Sequence, residues 1–202
     1  KEWLVQKYAV NSVNSMLAAL NQFLEFLNVG NLKVKRIKVQ KQPFLQDQKE
    51  LTEKECRKLI VTAIAEGKEQ LALCIETIAC IGIRISEIKY FTVERVKSGK
   101  IEIYNKGKYR RIFLPKILQK KLLSYCHNNQ IAEGWIFVTK NGKLKDRSNI
   151  WREMKRLKEK AGVAESKIFP HNFRHLFARI YYKVTKDITG LADLLGHSSI
   201  NV

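Results

Sequence analysis

His171-Asn172-Phe173-Arg174-His175, followed downstream by Leu194-Leu195-Gly196-His197, decides how the rest of this chain is read. In a helix, residues three apart are neighbours on one face, so His171 and Arg174 project side by side. His197 follows Gly196, a residue able to end the preceding helix. Imidazoles and a guanidinium placed this way can surround one phosphate. Upstream, Gly82-Ile83-Arg84-Ile85-Ser86-Glu87-Ile88 supplies another arginine with a carboxylate one turn later. Between the two lies Tyr104-Asn105-Lys106-Gly107-Lys108-Tyr109-Arg110-Arg111, which reads as a lysine-bearing hairpin.

The charge balance points to the partner. Thirty-eight Lys and Arg stand against 19 Asp and Glu, a formal net charge of +19. A polyanion is favoured, because each phosphate neutralised releases condensed counterions. An anionic membrane surface fits less well, since no helix is basic on one face and bulky-apolar on the other. With 202 residues, 45% of them hydrophobic, the chain can bury a core and hold one domain, or one plus part of a second. Cys56, Cys74, Cys80 and Cys126 form no C-x-x-C and no Cys/His metal spacing, and Cys74 and Cys80 lie in an apolar stretch that reads as core. With no sign of a disulfide scaffold, no signal peptide and no bilayer-length apolar run, the expected location is a reducing cytoplasm, away from membrane. The chain has no initiator Met and opens inside a plausible helix, so it is expected to be a fragment.

Working outward, Val13, Met16, Leu17, Leu20, Phe23, Leu24 and Leu27 recur at helical spacing and predict a helix over Asn11–Asn28 with Gly30 as its C-cap. Lys33 to Pro43 is basic, lacks helical period and ends at a proline, so it reads as an interdomain linker that can lie along a phosphate backbone. Thr52-Glu53-Lys54-Glu55 is a capping-box pattern opening the second block. An apolar helix over about Glu69–Ala79 leads to Gly82. From Thr92 to Leu114 the period shifts to alternation, with Ile101, Ile103, Ile112 and Phe113 in strands and Gly99 and Gly107 at turns. Helices are expected at about Lys116–Asn128, Ser148–Ala161, His171–Lys183 and Asp187–Leu195, with a turn at Asn141-Gly142 and Gly162 ending the long basic helix. The fold class is mainly α with one small antiparallel β-sheet.

Taken in order, these segments resemble the catalytic domain of tyrosine recombinases, the phage-integrase-like site-specific DNA recombinases. The resemblance covers about Lys49 to Val202 well. It covers Lys1 to Gln42 more loosely, as a partial helical core-binding domain and basic linker (1–42) ahead of the catalytic domain (43–202). It implies site-specific recombination or integration of double-stranded DNA, as in mobile-element integrases or chromosome-dimer resolvases. The chemistry implied is metal-independent transesterification through a 3′-phosphotyrosine, without a cofactor, on a dimer to tetramer assembled on DNA in the full-length protein. Arg84 and Arg174 match the family's two arginines, which a lysine would not replace as planar forks. Glu87 matches the acidic position that orients a neighbour. Lys106 matches the hairpin lysine that protonates the leaving 5′-oxygen, with Lys108 as its competitor. His171 matches the first residue of the H-x-x-R box, and His197 a donor to a nonbridging oxygen. Lys35, Arg36, Lys38, Lys108, Arg110 and Arg111 are expected on DNA phosphates, whereas His175 and His127 read as structural.

The departure lies at the end. The family's attacking tyrosine follows the second histidine, and this chain stops at Val202, five residues past His197. Tyr181 and Tyr182 precede His197 and read as core or DNA-facing aromatics. The chain as given is therefore expected to be cleavage-incompetent. The rival from another class is a non-catalytic, sequence-specific DNA-binding module with a retained recombinase fold. A type IB topoisomerase shares the chemistry, but the core-binding remnant favours recombination.

Overall fold

The computed structural model of the protein describes residues 2–38, 50–105 and 108–196, without the side chains of Asn105 and Lys108. By its contacts the chain divides into two units, 1–47 and 48–202.

The first unit holds α1 (Glu2–Lys7) and α2 (Val10–Phe26). Spaced one turn apart, Val13 and Leu17 are buried at 0% and 3% exposure, while Met16, Leu20 and Phe23 stay exposed. The expected C-cap moves. Asn28 takes the left-handed conformation (φ 59°) and Gly30 instead opens a short 3₁₀ turn, Gly30–Leu32. Asparagine tolerates that conformation better than other residues bearing a Cβ, so a search for glycine places the helix end too late. The basic stretch after it lacks helical structure, as its pattern implies, yet it is fastened. Asn21 bonds both backbone groups of Val34, and Asn14 both of Ile37. Positions 39–43 of the expected linker lie outside the described residues.

In the second unit, α3 (Glu53–Ala65) begins with the anticipated capping box: Thr52 Oγ1 accepts from the Glu55 amide, and the Glu55 carboxylate accepts from the Thr52 amide at 2.8 Å. Next, α4 (Glu69–Ile81) is apolar on almost every side and buries Leu71, Ala72, Leu73, Cys74, Ile75, Ile78 and Ile81. A helix of that kind has to sit in the centre of its unit. The neighbours that cover it are α3, α6 (Lys116–Asn128), α7 (Arg147–Lys155) and α9 (Pro170–Thr185), with α5 (Val93–Ser98) ahead of the sheet and α8 (Lys158–Ala161) following α7. The helix α10 (Ile188–Leu195) then packs on α9. Among the described residues no helix is long and apolar enough to cross a membrane.

Three expectations change. Val93–Ser98 is helical rather than extended: Thr92, itself extended, caps it, Gly99 ends it at φ 72°, and Val93 and Val96 are buried one turn apart. Two β-branched residues three apart are a helical signal, and β-propensity masks it. The long basic helix slackens at Leu157, whose amide bonds back only three residues to Met154, and this splits α7 from α8 while Leu157 stays fully buried. Cys80 is exposed, unlike buried Cys74, because it falls on the outer side of α4 near its end.

Strands β1 (Lys100–Asn105) and β2 (Lys108–Phe113) pair antiparallel with Ile101 opposite Ile112 and Ile103 opposite Arg110. The period of two sends Ile101, Ile103 and Ile112 inward and leaves Tyr104, Tyr109 and Phe113 outside. Phe113, expected in the strand, is thus exposed at its end. Lys106 and Gly107 at the hairpin tip lie outside the described residues.

Candidate active site

The central helix delivers the first arginine. At its end Gly82 adopts φ 64°, and a Cβ there would meet the Phe177 ring at 2.3 Å and Leu195 at 3.0 Å. Only glycine allows α9 and α10 to close on that turn. Ile83 is buried, and Arg84 follows as the N-cap of a 3₁₀ turn over Ile85–Tyr90.

Glu87 locks Arg84 in place. Its carboxylate accepts from the Arg84 amide at 2.7 Å and from Arg84 Nη1 at 3.2 Å. From the sheet, Arg110 adds Nη1 at 3.0 Å and Nη2 at 2.7 Å, a two-pronged grip on a side chain only 1% exposed. Burial alone would raise the Glu87 pKa, but the hydrogen bonds from Arg110 and the Arg84 amide hold it below the usual 4.5. Arg110 was expected on a DNA phosphate; the structure engages its fork with Glu87. Strand parity explains the difference from its neighbour. Arg110 lies on the inward face with Ile112, whereas Arg111 faces outward and pairs with Glu102 at 2.9 Å. A Cβ on Gly196 would stand 2.8 Å from Arg110 Nη1, so that glycine keeps the path to Glu87 open.

The second arginine is more deeply set. Pro170 begins α9 at the position where a missing amide costs nothing, and Arg174 lies one turn in at 4% exposure. Its Nη1 donates to the Gly82 carbonyl at 2.5 Å and its Nη2 to the Leu195 carbonyl at 2.6 Å. Both oxygens sit at the C-terminal ends of helices, α4 and α10, where partial negative charge gathers and a cation is favoured. One guanidinium therefore ties three helices together. Burial, with the like charge of Arg84 close by, draws its pKa down to about 10, so it remains a cation at neutral pH.

His171 is exposed on the first turn of α9, with its ring edge-on to that of His175 at 4.7 Å between centroids. Burial and then the Arg174 charge push the His175 pKa below its usual value, favouring the neutral imidazole. Arg84, His171 and Arg174 open onto one cavity of about 490 Å³. Its wall also includes Ser86, Arg147, Ser148 and Trp151. Arg147 and Ser148 were not singled out by their sequence. Asp146 caps α7 by accepting from the Ser148 amide at 2.7 Å, and α7, packed on α4, places that helix start in the cavity wall. Asn172 is likewise unforeseen: buried at 4%, it donates to the Lys167 carbonyl and anchors the start of α9.

Lys106 and His197 lie outside the described residues, as does the side chain of Lys108. Lys35, Arg36 and Lys38 belong to the first unit, where all three are exposed. His127 is exposed in the last turn of α6, as its sequence position implies. Tyr181 stacks at a tilt on Phe177, 5.9 Å between centroids, and Tyr182 is 45% exposed.

Comparison with known proteins places these features. The model of the phage integrase family matches residues 49–202. Tyrosine recombinase XerA of Pyrococcus furiosus is 29% identical over 201 residues, which cover 96% of this chain and 68% of that protein. Tyrosine recombinase XerH of Campylobacter jejuni is 33% identical over 135 residues, 64% of this chain and 38% of that one. Among solved structures, a lambda integrase tetramer bound to a Holliday junction superposes with a TM-score of 0.74 at 18% identity, covering 99% of this chain and 62% of the other, a likeness of fold.

Proposed function

The chain belongs to the phage integrase family, and on that premise we propose that it carries the phosphate-activating machinery of a site-specific tyrosine recombinase, which cuts and rejoins double-stranded DNA. The observation that carries this reading is the convergence of Arg84 and Arg174, from separate elements, on one cavity with His171. In such a reaction a tyrosine oxygen attacks phosphorus, the 5′-oxygen leaves with a proton, and a 3′-phosphotyrosine forms. Negative charge builds on the nonbridging oxygens in the transition state, and fixed guanidinium groups stabilise it without reorganising.

In this reading Arg84 and Arg174 hold the nonbridging oxygens, and Glu87 with Arg110 fixes the Arg84 fork. His171 exchanges a proton near the attacking oxygen. Lys106 protonates the leaving 5′-oxygen and His197 donates to the phosphate, roles that rest on their matched positions. Residues 1–42 act as the core-binding portion and linker, and 43–202 as the catalytic domain. Lys35, Arg36, Lys38, Lys108 and Arg111 supply phosphate contacts, and the active species is an oligomer on DNA.

These 202 residues hold no tyrosine after His197. Tyr181 is seven residues beyond Arg174 on the same helix, a rise of about 10 Å, and packs against Phe177. One helix does not bring both groups to a single phosphorus, so the chain as given is proposed to bind DNA without forming an adduct. Two measurements test the reading. Duplex affinity across a salt series should fall steeply, and a flat log–log dependence would remove the DNA assignment. In a chain that includes a tyrosine beyond His197, Arg84→Ala should abolish covalent trapping on nicked duplex while binding persists. Trapping near the parental rate would end the catalytic assignment. Arg84 is the better target because removing buried Arg174 also strips two helix-end carbonyls of their partner.

A further inference from the structure

The basic stretch in the first unit is held in a fixed register on helix α2, and the devices that hold it are two asparagines. Asn21 Oδ1 accepts from the Val34 amide at 2.9 Å while its Nδ2 donates to the Val34 carbonyl at 3.0 Å. Asn14 does the same to Ile37, at 2.8 and 2.9 Å. Each side-chain amide thereby takes the place of a neighbouring strand, satisfying both backbone groups of one extended residue.

The spacings match. Asn14 and Asn21 are seven residues apart, close to two helical turns, so they lie on one face about 10.5 Å apart along the axis. Val34 and Ile37 are three residues apart, and extended chain advances about 9–10 Å over that distance. The segment runs antiparallel to the helix, and an ion pair from Lys33 to Glu25 at 3.0 Å pins its start. Val34 and Ile37 are half-buried, and Lys35, Arg36 and Lys38 are exposed.

We propose that Asn14 and Asn21 are positioning residues that hold Lys35, Arg36 and Lys38 as a preformed rail for the phosphate backbone of duplex DNA. A free chain of this composition would have to surrender its conformational freedom on binding; the clamped segment has already done so. The inference rests on the DNA-binding reading above.

The test is a thermodynamic cycle on the 202-residue chain, with duplex affinity measured across a salt series. Lys35→Ala/Arg36→Ala/Lys38→Ala should lower the log–log slope by up to about 2.7, at about 0.9 for each phosphate no longer neutralised. Asn14→Ala/Asn21→Ala keeps every charge and should still lower the slope by about one to two. Adding the asparagine changes to the neutralised chain should cause no further drop, because both act through the same cations. If the neutralised variant loses slope and the asparagine variant does not, the clamp is irrelevant to binding and the inference falls while DNA binding stands. If the parent chain shows no salt dependence, the DNA reading itself falls. A third measurement covers the case in which the asparagine variant does not fold. Hydrogen exchange of the parent should show protected amides at Val34 and Ile37, with Asn14 and Asn21 as their acceptors. Exchange at the rate of an unstructured chain overturns the proposal.

Discussion

Replacing Glu87 by glutamine tests whether the site is organised around this one carboxylate. Glu87 accepts four hydrogen bonds, two from Arg84 and two from Arg110, at 1% exposure. Glutamine keeps the shape but presents an amide N–H₂ to donors on one side and removes the charge that balances Arg84 and Arg110. Breaking a buried ion pair by removing one partner costs about 3–5 kcal/mol. The Arg84 share is smaller, because that side chain is 33% exposed and partly screened by water. The Arg110 share is larger, since its side chain is only 12% exposed and its Nε has no hydrogen-bond partner among the described residues. A loss of about 2–4 kcal/mol is therefore expected. In urea unfolding at pH 7, with a slope of about 2 kcal/mol per molar, the midpoint should drop by about 1–2 M. Glu87→Asp, which keeps the charge, should recover part of that. A midpoint shift under about 0.3 M for Glu87→Gln would refute the argument, because it would show that the arginines find equivalent partners without the carboxylate.

Gly82→Ala should lower the melting temperature by about 5–20 °C, since left-handed backbone and a Cβ 2.3 Å from the Phe177 ring each act against it; an unchanged melt would mean that α9 withdraws freely. Arg110→Ala should destabilise by at least about 2 kcal/mol, whereas Arg111→Ala, an outward residue paired with half-exposed Glu102, should leave the denaturant midpoint essentially where it is; equal effects in denaturant titrations would contradict the inward and outward assignment. Acid should separate the site from the bulk. The Glu87 carboxyl is held below its usual 4.5, so the stability it adds is complete above that pH and is lost as pH falls through the lower folded value. The gap between the parent and Glu87→Gln should thus be constant near neutrality and close below pH 4.5. A gap that persists at pH 2 would assign the loss to packing instead.

Much of this protein is legible without coordinates, because its signals are local. The Thr52–Glu55 box needs only residues three apart, the unbroken apolar character of Glu69–Ile81 announces a central helix, and the isoleucines at 101 and 103 alternate as a strand must. The same holds for the family: its boxes are short runs whose order is a property of the chain. Where local signals compete, the reading slips, as at Val93–Ser98, where β-branched residues outweigh a capping threonine and a closing glycine.

By itself, then, the sequence determined the mainly helical fold class with its small sheet and the excess of positive charge, and it named Arg84, His171 and Arg174 as candidates, which line one cavity. Only the tertiary structure decided what those residues hold. No local pattern tells that Arg110 grips Glu87 across 23 positions while Arg111 stays outside, that Arg174 joins two helix ends 92 and 21 residues away, or that Asn14 and Asn21 clamp the segment that carries Val34 and Ile37. Hydrogen-bond partners of buried polar groups are chosen by which carbonyls and carboxylates the packed core leaves beside them, and that choice exists only after the helices have closed around α4.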